Sequence, residues 1–122
     1  MAATLPEMGR RGEAVAAQFL RKQGMQVVAQ NVRCPLGEID LVARDGATLV
    51  FVEVKSRSGG AYGLPQEAVT RAKQRRLTRL AWWYLKTHRL QEHPARFDVV
   101  AVTWQGTDPQ VTWIANAFEA MI

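Results

Sequence analysis

Apolar residues recur every three to four positions in two segments of the chain and run almost unbroken in several others, a pattern that reads as α-β-β-β-α-β-β. Thr4-Leu5-Pro6-Glu7 has the form of a capping box, with Thr4 as N-cap, Pro6 in the first turn and Glu7 at the third helical position. The helix it opens carries Gly9, Gly12, Ala16, Phe19 and Leu20 on one face, with Glu13 at the edge of that face, and should stop at Gly24 after about Gln23. Glycines on the apolar face predict close packing on a sheet. Strands are expected at about 26–31, 36–43 and 48–57. The last is apolar on both faces from Leu49 to Val54 apart from Glu53, the signature of a central strand covered on both sides. Pro65 then opens a second helix to about Thr87, at a first-turn position that tolerates proline. Strands at about 96–104 and 110–115, joined by a turn over 106–109, and a short helix over 116–122 complete a single α/β domain with a mixed sheet flanked by helices.

Charges interrupt the second and third strands. Glu38, Asp40, Glu53 and Lys55 lie inside otherwise apolar runs, where charge is costly. Asp45-Gly46 is a strong two-residue hairpin signal; with that turn, Ala43 faces Thr48, Asp40 faces Phe51 and Glu38 faces Glu53. All four charged residues would then emerge on one face, Glu38 and Glu53 with Cβ atoms roughly 5 Å apart and Asp40 diagonal to Glu53 at roughly 7–8 Å. Such crowding destabilises a sheet or keeps one carboxyl protonated, unless a divalent cation removes the conflict. Hard oxygen donors point to Mg²⁺ or Mn²⁺, with the Val54 carbonyl as a further oxygen. The alternative is a surface ion pair, Glu53 with Lys55, beside an acidic hairpin rim. The apolar flanks, the Gly-Glu-Ile-Asp run and the hairpin spacing favour the cation.

The same residues carry a resemblance. Gly37-Glu38-Ile39-Asp40-Leu41-Val42 followed by Phe51-Val52-Glu53-Val54-Lys55-Ser56-Arg57 resembles the YraN-like family of small bacterial proteins. The likeness extends to Gly12-Glu13, Asn31-Val32-Arg33, Tyr62-Gly63, Pro65, Lys73 and Arg96-Phe97-Asp98-Val99-Val100. That family is assigned to the PD-(D/E)XK, restriction-endonuclease-like superfamily, with archaeal Holliday junction resolvases as relatives. The resemblance implies a restriction-endonuclease-like α/β core in which Asp40 and Glu53 bind metal, Lys55 is catalytic and Glu13 contributes from the first helix. Without it, Glu13 reads equally as a solvent-facing helix residue. Leu64 departs from the family pattern, in which a small polar helix cap would precede Pro65.

Composition adds a partner. The 122 residues are 48% hydrophobic, which argues against disorder, and carry 16 Lys and Arg against 11 Asp and Glu, a formal charge of +5. A pI near 10.0 suggests a polyanion, nucleic acid or membrane surface. From Ala68 to Gln91 there is no acid, and Arg71, Arg75, Arg79, Lys86 and Arg89 project within one sector of the second helix together with Trp82. Such a stripe suits a phosphate backbone, its alternative being a solvated positive face. Lys73 instead falls among core-facing positions and should point to the metal site or a substrate phosphate. Gln66 is a weaker candidate for the same region. Tyr62, in a Gly-rich loop, either approaches a sugar–phosphate backbone or belongs to a plain connector. Trp82 could stack on an unpaired base or meet a second copy. Trp83, Trp104 and Trp113 belong to core or interface, and Arg96 with Asp98 forms a structural ion pair.

Cys34 alone gives no intramolecular disulfide and fits a reducing compartment; His88 and His93 lack zinc spacing. No leader or membrane span is evident, so the expected location is the cytoplasm. The function expected is a Mg²⁺-dependent DNA phosphodiesterase, an endonuclease selective for branched or otherwise structured DNA, and a homodimer would suit a two-fold substrate. The alternatives are a non-catalytic nucleic-acid-binding module that keeps the nuclease fold, and a basic protein-interaction subunit.

Overall fold

In a computed structural model, which describes residues 5–59 and 69–120, the elements follow the order α-β-β-β-α-β-β of a restriction-endonuclease-like core. They are α1 (Leu5–Lys22), β1 (Gln26–Cys34), β2 (Gly37–Asp45), β3 (Thr48–Ser58), α2 (Arg71–Thr87), β4 (Ala95–Gln105) and β5 (Asp108–Phe118). The sheet order is β1-β2-β3-β4-β5, antiparallel throughout except for the parallel pair β3–β4. A parallel pair needs a crossover, and α2 lies within it. The helices take opposite faces. Leu77, Leu80, Ala81, Tyr84 and Leu85 of α2 pack on Leu49, Phe51, Phe97 and Val99; Ala16, Ala17 and Leu20 of α1 pack on Leu41, Val50, Val52, Val100 and Val102. The unbroken apolar run of β3 is thus buried from both sides.

α1 ends as the sequence predicts. Gly24 adopts φ +93°, Met25 N–H reaches Leu20 C=O (3.1 Å) and Gly24 N–H reaches Arg21 C=O (3.0 Å), a Schellman closure sealed by buried Met25 and Leu20. Of the two glycines on its inner face only Gly12 is sterically required: a Cβ there would lie 2.8 Å from Cβ and Oγ of Ser56, whereas Gly9 has nothing within 4 Å. That close approach lets Ser56 Oγ donate to Met8 C=O (3.1 Å) and accept from Trp104 Nε1 (2.8 Å), which fastens α1 to β3 and β4.

Three expectations are corrected. The β2–β3 turn is Gly46-Ala47, with positive φ at Gly46 but not Ala47, so Asp45 pairs with Thr48 and Ala43 with Val50. Arg96 Nη1 holds the Asp45 carboxylate at 2.9 Å and draws that residue into the strand. The register differs by two residues from the expected one, and the paired stretch ends at Leu41↔Val52, so neither Glu38 nor Asp40 is laddered to Glu53. α2 begins at Arg71: Thr70 is extended (φ −66°, ψ 165°) and its hydroxyl accepts from Lys73 N–H (3.2 Å), the N-cap of the helix. Arg89, with φ 56°, lies past the helix end. Residues 116–118 continue β5 instead of forming a helix, because Asn116 N–H is taken by Asp98 Oδ1 (2.9 Å) and Phe118 stacks on Phe97 (centroids 4.7 Å apart). Thr4, Tyr62, Leu64, Pro65 and Gln66 lie outside the described residues.

Asp98 is the fully buried acid of the sheet, and it is fully paired. Arg96 Nε (3.1 Å), Arg96 Nη2 (3.3 Å), Trp113 Nε1 (2.9 Å) and Asn116 N–H converge on its two oxygens. Asp98→Ala should therefore cost about 3–5 kcal/mol by stranding Arg96 and two N–H donors, measured by urea unfolding. In the same assay Gly12→Ala should lose about 1–3 kcal/mol through overpacking against Ser56, while Gly9→Ala gains up to about 1 kcal/mol of helix propensity.

Candidate active site

Strand parity breaks on β2 at Asp40 and on β1 at Asn31, and the site is built there. Ile39 and Val42 of β2, three apart, both pack in the α2 layer, while Leu41 packs in the α1 layer. On β1, Ala29 and Val32 likewise share the α2 layer. Between them Asn31 adopts φ 52°, which Asn tolerates better than a branched residue. The flanking pairs Gln30↔Leu41 and Val32↔Ile39 put Asn31 opposite Asp40. Beyond Leu41↔Val52 the β2–β3 ladder stops, and Asp40 Oδ2 instead accepts the Val54 N–H at 2.8 Å. A carboxylate thus occupies a place in the ladder that a backbone carbonyl would otherwise fill.

Three acids meet at that gap. Ligand oxygens of Glu13 from α1 and of Glu38 and Asp40 from β2 all lie within 4.8 Å of one another. Burial, and next the charge of Glu53, push the Asp40 carboxyl up to about 7; the Val54 N–H opposes this, and Glu13 and Glu38 add to it. Burial also raises Glu13, most strongly opposed by its hydrogen bond with the Asn31 side chain, while Glu38 and Glu53 push it further up. Among the described residues no cation pairs with Asp40. All donors are hard carboxylate oxygens, and their mutual repulsion is what a divalent cation of the Mg²⁺ class would relieve, so the residues fit such an ion.

Glu53 has a cationic partner. Its Oε1 lies 2.9 Å from Lys73 Nζ, across from β3 to the first turn of α2. The Thr70 cap fixes this placement by putting Lys73 at the third helical position. A lysine there opposes the helix dipole, and no acid in that turn offsets it, so local propensity is sacrificed to bring a cation to the site. Glu13, Glu53, Val54, exposed Lys55 and Lys73 line one open cleft of about 410 Å³, together with Met8, Gly9 and Ser56 to Ser58. The structure therefore gathers Glu13, Glu38, Asp40, Glu53, Val54, Lys55 and Lys73 at one end of β2 and β3. Arg71, Arg75, Arg79 and Lys86 are exposed along α2 and lie outside that cleft. Trp82 is 55% exposed, whereas Trp83, Trp104 and Trp113 pack against the two cores. Asn31, whose amide holds Glu13, was not singled out for a role from the sequence; an Asn inside a strand, where β propensity is poor, is the available signal.

A profile of the uncharacterised protein family UPF0102 matches residues 12–102. The chain is 49% identical over 112 residues to a UPF0102 protein of Syntrophotalea carbinolica, covering 92% of this chain and 91% of that one. It is 50% identical over 114 residues to one of Desulfosudis oleivorans (93% and 91%) and 57% identical over 95 residues to one of Beutenbergia cavernae (78% and 80%). Among the described residues no helix is long and apolar enough to cross a membrane.

The raised Asp40 carboxyl predicts how stability depends on pH without metal. A folded-state value of about 7, above the unfolded value, gives stability that is complete at acid pH and is lost as pH rises through 7. Asp40→Asn keeps an acceptor for Val54 N–H and removes the charge, so it should raise the melting temperature at pH 8 more than at pH 5 in EDTA. An equal shift at both values would show that the Asp40 carboxyl is not raised in the folded protein.

Proposed function

The chain belongs to the uncharacterised protein family UPF0102, and within that family we propose that it is a Mg²⁺- or Mn²⁺-dependent DNA phosphodiesterase, an endonuclease acting on branched or otherwise structured DNA. The observation that carries this reading is the convergence of Glu13, Glu38 and Asp40 on one point beside a cleft that also presents Glu53, Lys55 and Lys73. Four carboxylates against two lysines leave two negative charges, matched by one divalent ion. Glu13, Glu38 and Asp40 would hold that ion, with Glu53 and the Val54 carbonyl as further oxygens. Bound there, it supplies Lewis acidity towards a phosphoryl oxygen and acidifies water.

The chain's own groups supply the rest. Lys55, exposed in the cleft, neutralises charge that develops on the phosphoryl oxygens in the transition state. Lys73 holds Glu53 in place and offers a second cation to a neighbouring phosphate. Glu13, with its raised carboxyl and its Asn31 tether, takes the proton of the attacking water at its carboxylate oxygen. The phosphorus gains the water oxygen, the bond to the leaving deoxyribose oxygen breaks, and that oxygen is protonated from solvent. Basic residues along α2 favour a polyanionic substrate, which a net charge of +5 also supports.

Cleavage of flapped, four-way and linear DNA with Mg²⁺ or Mn²⁺ tests the reading. Asp40→Ala, Glu53→Ala and Lys55→Ala should each lower the rate by about 10²-fold or more, and EDTA should abolish it. Lys73→Ala should cost less, about tenfold. Activity unchanged in the first three variants removes this cleft from the chemistry.

A further inference from the structure

A second concavity, of about 810 Å³, lies between α2 and the β4–β5 edge of the sheet, and none of the site residues line it. Leu85, Phe97 and Phe118 contribute its apolar lining, Trp82 stands at its side, and Arg75 and Arg79 form a rim. Trp82 is 55% exposed and shares its sector of α2 with the two arginines, so its indole face is open beside two guanidinium groups. Among the described residues neither Arg75 nor Arg79 has a carboxylate partner, and α2 contains no acid. Asn116 and Glu119 bring polar groups to the far end.

We propose that this groove binds an unpaired nucleotide of a single-stranded DNA segment, its base stacked on Trp82 and its phosphates held by Arg75 and Arg79. Charge complementarity selects the occupant: flat apolar surface rimmed by free guanidinium groups suits a polyanion whose monomers each carry a π-face. Asn116 and Glu119 can meet the polar edge of the base. Along the helix axis Trp82 lies nine residues, about 13 Å, beyond Lys73, or about four nucleotides at stacked spacing. The inference rests on the reading of the protein as a DNA phosphodiesterase and refines its substrate to DNA with a single-stranded arm.

Binding without metal separates the two readings. In EDTA, anisotropy of a labelled oligothymidylate and of a blunt duplex is measured with the full chain and with Trp82→Ala, Trp82→Phe and Arg79→Ala. The exposure of Trp82 makes its replacement compatible with folding, checked by circular dichroism. Wild type should prefer the single strand; Trp82→Ala should weaken that binding about tenfold or more and barely affect the duplex, and Trp82→Phe should retain most of it. Arg79→Ala should reduce the salt slope by about one. Equal single-strand affinity for wild type and Trp82→Ala overturns the proposal, as does loss of a dimer in Trp82→Ala, by sedimentation, with DNA affinity unchanged. Trp82-dependent binding in a protein that cleaves nothing would sustain the groove and sink the nuclease reading. Cleavage with Trp82-independent binding would do the reverse.

Discussion

Carboxylates repel one another, and this sheet holds several together where a ladder would normally close. The constraint is local: β2 must leave β3 after Leu41, and Asp40 takes over the Val54 N–H that would have continued the pairing. From that bond follow the parity break at Asn31 and Asp40, the approach of Glu38 to Glu13, and the open cleft above β3. α1 can deliver Glu13 only because Gly12 lets the helix touch Ser56.

Asp98 and Asp40 show how burial separates structure from function. Both are acids set inside apolar strands. Asp98 collects four donor hydrogens from Arg96, Trp113 and Asn116 and helps to hold β4 and β5 in register. Asp40 receives one N–H and faces three further carboxylates, which leaves it short of positive charge. That deficit is what the proposed divalent ion would neutralise. Lys73 fits the same logic: it sits in the wrong turn of its helix for the dipole and the right one for Glu53.

Much of this was legible in the sequence. The double-sided apolar run of Leu49 to Val54 identified a central strand, Gly24 marked the stop of α1, and Arg96-x-Asp98 read as a structural pair. Where the sequence misled, tertiary contacts outweighed local signals. Asp45-Gly46 has the better turn chemistry, yet Arg96 holds Asp45 in the strand and the register moves by two. Asn116 to Phe118 has no decided propensity, and Asp98 with Phe97 draws it into β5. The groove beside Trp82 could not be read at all, because it depends on where α2 lies relative to strands far along the chain.

The acids around Asp40 are proposed to bind a divalent cation. Calorimetric titration with Mn²⁺ near pH 7, in two buffers of different ionisation enthalpy, tests it most directly. Saturable uptake with net proton release is expected, because the ion displaces the proton that the raised Asp40 carboxyl carries, with loss of that release in Asp40→Asn. Saturable uptake with no proton release, or no uptake at all by the intact chain, would contradict it.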